Sequence, residues 1–439
     1  MPLSMKIPAK IPVKAGQATI KRTFEEKSEP MKLTQRLSIY LFVFLFTTGN
    51  IVSQSVGQTI GGISVERLKN YESYINKAVQ EGEIPGAVSM IVRNGQVVHH
   101  KAFGSSNVTD KTPMTTESLF YIQSMTKPII TVAFMMLYEE GHFLLTDPVS
   151  KYIPAFKDLK VAKDISKGKD GETVPMKKEI TIANLLSHSA GLSHGLGGST
   201  LDRDYAKAMY LQPHATIADR MNAMLTLPLM GQPGEQWYYS AAPDVLSVLI
   251  EKFSGMSTDD FLKKRIYEPL DMKHTGYTIP AKEQPKVVAV HTKNKDGVLQ
   301  YSPNQPKMEG VTVWSGVNGL YTTAADYMTF CRMLLNKGEW KGKRLLSRKT
   351  VELMTQNHVG DLYNGAGEGF GLGFAVVENV AKTRQLGSEG IFYWSGANNT
   401  HFFIDPKENL VAIFMTQLAP FSNYYHTKLR QHVLQAIVD

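Results

Sequence analysis

One cysteine, Cys331, stands in 439 residues. An intrachain disulfide is thereby excluded. Its apolar helical setting, Tyr327 to Leu335, marks the thiol as core rather than nucleophile or metal ligand. Long apolar runs are also missing. Leu37 to Phe46 is the most apolar stretch, and it falls well short of the ~20 residues a spanning helix needs. No basic run interleaved with aromatics occurs in the body, so nucleic-acid binding has little support. His188 and His194 have no Cys, Asp or Glu at ligand spacing. They read as structural, or at most as lining a cleft, and no metal or cofactor is implied. No internal repeat is present.

The formal charge of +8 is concentrated at one end. Residues 1–36 carry eight Lys/Arg and three Glu, a net of +5, which leaves +3 for the rest. Residues 1–30 are basic, proline-containing and aperiodic, and are expected to be a disordered extension. From Met31, a charged start, the apolar run and small polar residues (Ser53, Ser55) have the layout of a secretory signal over 31–57. The chain is then exported, periplasmic or secreted. The rival reading is membrane association through an uncleaved anchor at 37–46.

The folded body is expected over 62–439. Val65 to Gln80 has helical spacing. Ala87 to Arg93 and Gln96 to Phe103 flank Asn94-Gly95, a strong hairpin signal. Ile129 to Glu139 reads as a buried helix. From about 151 to 304 helices and loops dominate. Further on, Phe370 to Val377, Gly390 to Trp394, Thr400 to Asp405 and Leu410 to Thr416 read as strands. Strands at both ends with helices between predict an α/β fold: one sheet built from about 62–150 and 305–439, with a helical insertion over about 151–304.

Ser124-Met125-Thr126-Lys127 places a serine and an amine on one helix face. Pro128 is tolerated only in a first turn, so the helix is expected to start between Ser124 and Lys127. Ser124 then sits at the positive end of the helix dipole, where an alkoxide is favoured. The pattern is loose, because Ser166-Lys167-Gly168-Lys169 repeats it inside a charged, solvated stretch. Two more segments carry possible chemistry. Trp237-Tyr238-Tyr239-Ser240 precedes a helix, where a tyrosine either packs as core or shares a proton with Lys127. Trp394-Ser395-Gly396-Ala397 has small residues where backbone must approach something closely. Gly191-Leu192-Ser193-His194-Gly195 matches a nucleophile-elbow pattern literally, but a helix precedes it where a strand is required.

Several segments, in order, resemble the serine β-lactamase-like hydrolases related to class C β-lactamases and penicillin-binding proteins, with motifs nearest the family VIII-type carboxylesterases. They are Ile84-Pro85-Gly86-Ala87, Ser124 to Lys127, Gly141 to Pro154, Leu185 to Leu192, Pro233 to Ser240, Pro269 to Met272 and Gly369 to Phe374. The resemblance implies an antiparallel sheet flanked by helices. It implies Ser124 as the acylated nucleophile, Lys127 as its base partner and Tyr239 as shared base and proton donor. The N–H groups of Ser124 and Ala397 would form the oxyanion hole. Gln123, Trp394, Ser395 and Gly396 would contact a small-molecule acyl substrate. Two positions depart from the family. Its second-motif Asn is Ala241 here, and its third-motif cation is Trp394. Both changes favour neutral esters over β-lactams or D-amino-acid peptides. A non-catalytic penicillin-recognising or sensor module is the rival from another class.

Overall fold

The computed structural model describes residues 58–363 and 365–439. The expectations for residues 1–30 and 31–57 lie outside the described residues.

Val65–Gln80 (α1) buries Leu68, Tyr71, Ile75 and Ala78 on one face. Ser64 caps it, its Oγ accepting from the Arg67 N–H at 3.3 Å. Next comes the hairpin of Gly86–Arg93 (β1) and Gln96–Asn107 (β2). Asn94 and Gly95 adopt φ of 50° and 75°, the left-handed pair that a two-residue turn between twisted strands requires. Thr112–Pro113 (β3) pairs with β2 at the sheet edge.

Five further strands complete the sheet: Glu368–Phe370 (β4), Ala375–Val377 (β5), Phe392–Gly396 (β6), Thr400–Asp405 (β7) and Leu410–Met415 (β8). The spatial order is β4-β5-β6-β7-β8-β1-β2-β3, antiparallel throughout. β8 lies beside β1, with Met415 opposite Val88 and Leu410 opposite Arg93. The two ends of the chain thus meet inside one sheet.

One strand expectation is corrected. Phe370 to Val377 is not a single strand but two, joined by a tight reversal. The Gly371 N–H donates to the Phe374 carbonyl at 2.8 Å, and the Leu372 N–H is drawn off to Met354. Both arms are buried, so apolar residues run unbroken through the turn and hide it.

Side-chain alternation splits β1 between two cores. Val88, Met90 and Val92 face a large cluster formed with Thr126–Glu139 (α2), Ala242–Ser254 (α3) and Ala324–Leu335 (α4). Ala87 and Ile91 face a smaller cluster with α1 and Asn423–Leu434 (α5). Between about 155 and 304 the described elements are mostly helices, with two short hairpins at Lys160–Ala162/Thr173–Pro175 and His291–Lys293/Leu299–Tyr301. Leu201, Tyr205 and Met221 from this stretch join the larger cluster, so it shares a continuous core with the sheet. Every residue from Thr126 to Leu137 is buried, as expected of a helix apolar on all sides. Cys331 is buried on α4.

Candidate active site

The site is assembled where α2 begins. Gln123–Met125 forms one 3₁₀ turn, and α2 continues from Thr126. Gln123 enters with φ of 49°, a strained value for a non-glycine residue. The turn is anchored from three sides. The Ile122 N–H donates to the Leu320 carbonyl at 3.0 Å. The Tyr327 hydroxyl donates to the Met125 carbonyl at 3.0 Å. Gly396, at the end of β6, packs so near the Ile122 carbonyl that an added Cβ would stand 2.3 Å from its oxygen. Only glycine lets the strand end approach the serine turn this closely.

Ser124 Oγ lies 3.1 Å from Lys127 Nζ and 2.7 Å from the Tyr239 hydroxyl, which donates to it. Lys127 is 1% exposed. Its Nζ also donates to the Val317 carbonyl at 3.0 Å and stands 4.6 Å over the Tyr239 ring. Burial drives the Lys127 amine well below its ordinary value; Asp244 opposes that shift and Arg220 adds to it. Burial moves the Tyr239 phenol the other way, upward, with its bond to Ser124 pulling back. At neutral pH these shifts favour an uncharged amine and a protonated phenol beside one hydroxyl. Such a set can take a proton from the serine and give one to a leaving group.

Tyr239 is held by rings. His194 stacks on it at 5.0 Å and 14°, His188 is tilted at 5.1 Å, and Trp394 lies at 5.6 Å. His188 Nδ1 accepts the Ser240 backbone N–H at 3.2 Å, which puts its proton on Nε2. Burial, and then Lys127, depress the basicity of both histidines. Both belong to the packing around Tyr239. No cluster of three or more His, Cys, Asp or Glu side chains suited to a metal occurs among the described residues.

A cavity of about 630 Å³ opens on Ser124. Tyr239, Trp394, Ser395, Gly396 and Ala397 line it, so these sequence-derived positions come together there. Gln123 does not join them: its left-handed backbone belongs to the turn, and it is not among the lining residues. Trp237, Tyr363 and Phe421 extend an aromatic wall, and Glu368 is the one acid among the described lining residues. Ser193 of the elbow-like pattern is 0% exposed and donates to Asp202 Oδ1 at 2.6 Å. It has no access to this cavity.

Sequence reasoning missed the residues around the lysine. Asp244 Oδ1 accepts from Ser315 Oγ at 2.7 Å and from the Val317 N–H at 3.2 Å. Its other oxygen is 2.9 Å from Arg220 Nη2. The available signals were Asp244 in the first turn of the helix after Tyr239, and the small-residue run Ser315 to Gly319.

The Beta-lactamase family model matches residues 71–436. The chain belongs to this family. Among its relatives, protein Rv1367c of Mycobacterium tuberculosis (strain ATCC 25618 / H37Rv) is 31% identical over 368 residues, covering 80% of this chain and 90% of that one. Esterase EstB of Burkholderia gladioli is 25% identical over 369 residues, covering 79% and 90%. The solved structure of EstCE1, described as a hydrolase with promiscuous acyltransferase activity, superposes with a TM-score of 0.73 at 25% identity, covering 84% of this chain and 98% of that one. The protein is a serine hydrolase of the β-lactamase fold.

Proposed function

We propose that the protein hydrolyses neutral carboxylic esters through an acyl-enzyme on Ser124. The observation that carries this reading is the charge of the cavity. Among the described residues that line it there is no lysine or arginine, and one carboxylate, Glu368. Trp394 stands where the family's third motif places a cation. A substrate with its own carboxylate finds no cation among the described lining residues, and Glu368 is already engaged by the Tyr393 hydroxyl at 2.8 Å and by Arg430 at 3.9 Å; a neutral ester meets an aromatic wall. The likeness to esterase EstB and to the hydrolase EstCE1 supports this choice.

In this scheme Lys127, uncharged through burial, accepts the Ser124 proton as Oγ attacks the carbonyl carbon. The N–H groups of Ser124 and Ala397 hold the developing oxyanion. Ser124 lies in a helix's first turn, where backbone donors lack intrahelical partners. Tyr239, protonated through burial, delivers a proton to the departing alkoxide and recovers one from Lys127. Water then attacks the acyl-enzyme with the proton path reversed.

The test sets p-nitrophenyl butyrate beside nitrocefin, a β-lactam that carries a carboxylate, together with fluorophosphonate labelling. We expect ester turnover, slow or absent nitrocefin turnover, and a label that vanishes in Ser124→Ala. Rapid nitrocefin turnover without esterase activity reverses the substrate assignment. A label that survives Ser124→Ala removes Ser124 as nucleophile. We further propose that residues 31–57 direct export, on the strength of their charged start and apolar run. Fractionation of cells expressing the full chain tests this, and cytoplasmic retention overturns it.

A further inference from the structure

A second cavity, of about 460 Å³, shares no lining residue with the first, and its charge is of the opposite sign. Arg220 and Lys307 line it, with His214 beside them and no acid among the described lining residues. Arg220 is buried, its side chain 8% exposed. Its guanidinium stands 4.7 Å over the Tyr210 ring. Nη2 is paired with Asp244, but off the hydrogen-bond axis, and Nε has no hydrogen-bond partner among the described residues. Nε and Nη2 are both closed to solvent, so what Arg220 gives the cavity is its charge, which together with Lys307 makes the wall cationic. Tyr121, Met209 and Val313 supply an apolar flank.

The cavity also touches the lysine's support. Ser315, Asn318 and Gly319 line it, and between them Val317 holds Lys127 Nζ through its carbonyl at 3.0 Å. Tyr121 lies three residues before Ser124.

We propose that this second cavity binds a small organic anion, a carboxylate or phosphate ester on an apolar body, and that the bound charge acts on Lys127 through Arg220, Asp244 and the 315–319 strip. The charged and titratable groups around the two side chains are Asp244, Tyr210, Tyr121, Lys307 and His214 at Arg220, and Asp244, Arg220, Tyr239, His188 and His194 at Lys127. An anion that offsets Arg220 leaves the opposing pull of Asp244 on Lys127 less balanced. The lysine then holds its proton to higher pH, and the acid limb of kcat/KM moves upward.

Calorimetric titration of the full-length protein with benzoate, phenyl phosphate and uncharged benzamide tests the site. At least one anion should bind at a single site about tenfold tighter than benzamide, as attraction to a cationic wall warrants. The ratio of benzoate to phenyl phosphate affinity tells which oxyanion fits. Lys307→Ala should weaken binding about threefold. Val313→Trp fills the cavity while leaving Arg220 and Asp244 unsubstituted and should abolish binding. Failure of both anions to bind, equal binding of benzamide, or unchanged affinity in Val313→Trp overturns the site. With ester substrate, a saturating anion should raise the acid limb in the wild type and not in Val313→Trp. Binding without that movement overturns the link to Lys127. The calorimetry needs no catalysis, so its failure is distinct from failure of the esterase assignment, which Ser124 labelling reads alone.

Discussion

The chain writes Ser-x-x-Lys twice, and the two copies have opposite fates. Ser166 and Lys169 are exposed, at the ends of a short, kinked 3₁₀ segment over Ile165–Asp170 whose Gly168 leaves helical geometry. Lys169 Nζ pairs with Asp170 in solvent at 3.5 Å. Ser124 lies in the 3₁₀ turn that runs directly into α2, and Lys127, in the first turn of α2, is buried against a tyrosine ring. The first pair has the letters without the desolvation. The second has a helix that keeps both side chains on one face and a core that strips water from the amine. A lysine becomes a base where burial lowers its proton affinity; spacing to a serine does not do this.

The comparison breaks if both copies behave alike on mutation. Ser124→Ala should lower ester turnover by about 10⁴-fold or more, as loss of a nucleophile does elsewhere, while Ser166→Ala leaves it unchanged in the same p-nitrophenyl ester assay. Lys127→Met should lower kcat about 10³-fold, and Lys169→Met should not. Lys127 also leaves a signature in stability. Its folded-state value lies below 10.5, so in the window between the two the unfolded chain binds one more proton than the folded one. Stability from this group is therefore lost as pH falls and gained as it rises. Relative to Lys127→Met, the wild type should gain stability as pH rises toward 10.5, by at most about 1.4 kcal/mol per pH unit, read from paired denaturant melts. The Lys169→Met pair should show no such slope.

Smaller effects sharpen the contrast. Tyr239→Phe should lower kcat about 10²-fold with KM little changed, because it removes a proton path and keeps the ring. Trp394→Lys returns a cation to the cavity wall and should move the nitrocefin-to-ester ratio about tenfold toward nitrocefin. An unchanged ratio would show that cavity charge is not what separates the two substrates.

Much of this was legible because it rests on side chains with local order. The Asn94-Gly95 turn, the start of α2 and the ordered segments from Ile84 to Phe374 declare themselves in sequence. What stayed hidden rests on backbone or on distant pairs. The Val317 carbonyl that holds Lys127 is a group every residue carries, 190 positions away. Arg220 and Asp244 are ordinary charges until the fold buries them together. The reversal at Gly371 to Phe374 was masked by buried residues on either side of it. The left-handed backbone of Gln123, at the start of the turn that holds Ser124, has no signature in its residue type.

The seam between β8 and β1 carries one more consequence, and it concerns time. During synthesis β1 emerges early, and its partner Leu410–Met415 is among the last strands made. Until then the hairpin's inner edge has no neighbour, although every residue of β1 is buried in the finished sheet. A nascent or truncated chain ending before 410 exposes an apolar strand edge, a template for pairing with other chains. Such contacts, distant in sequence, close slowly. The serine turn leans on the same late strands through Gly396. The turn that carries Ser124 therefore lacks this support until the chain has been made past Gly396.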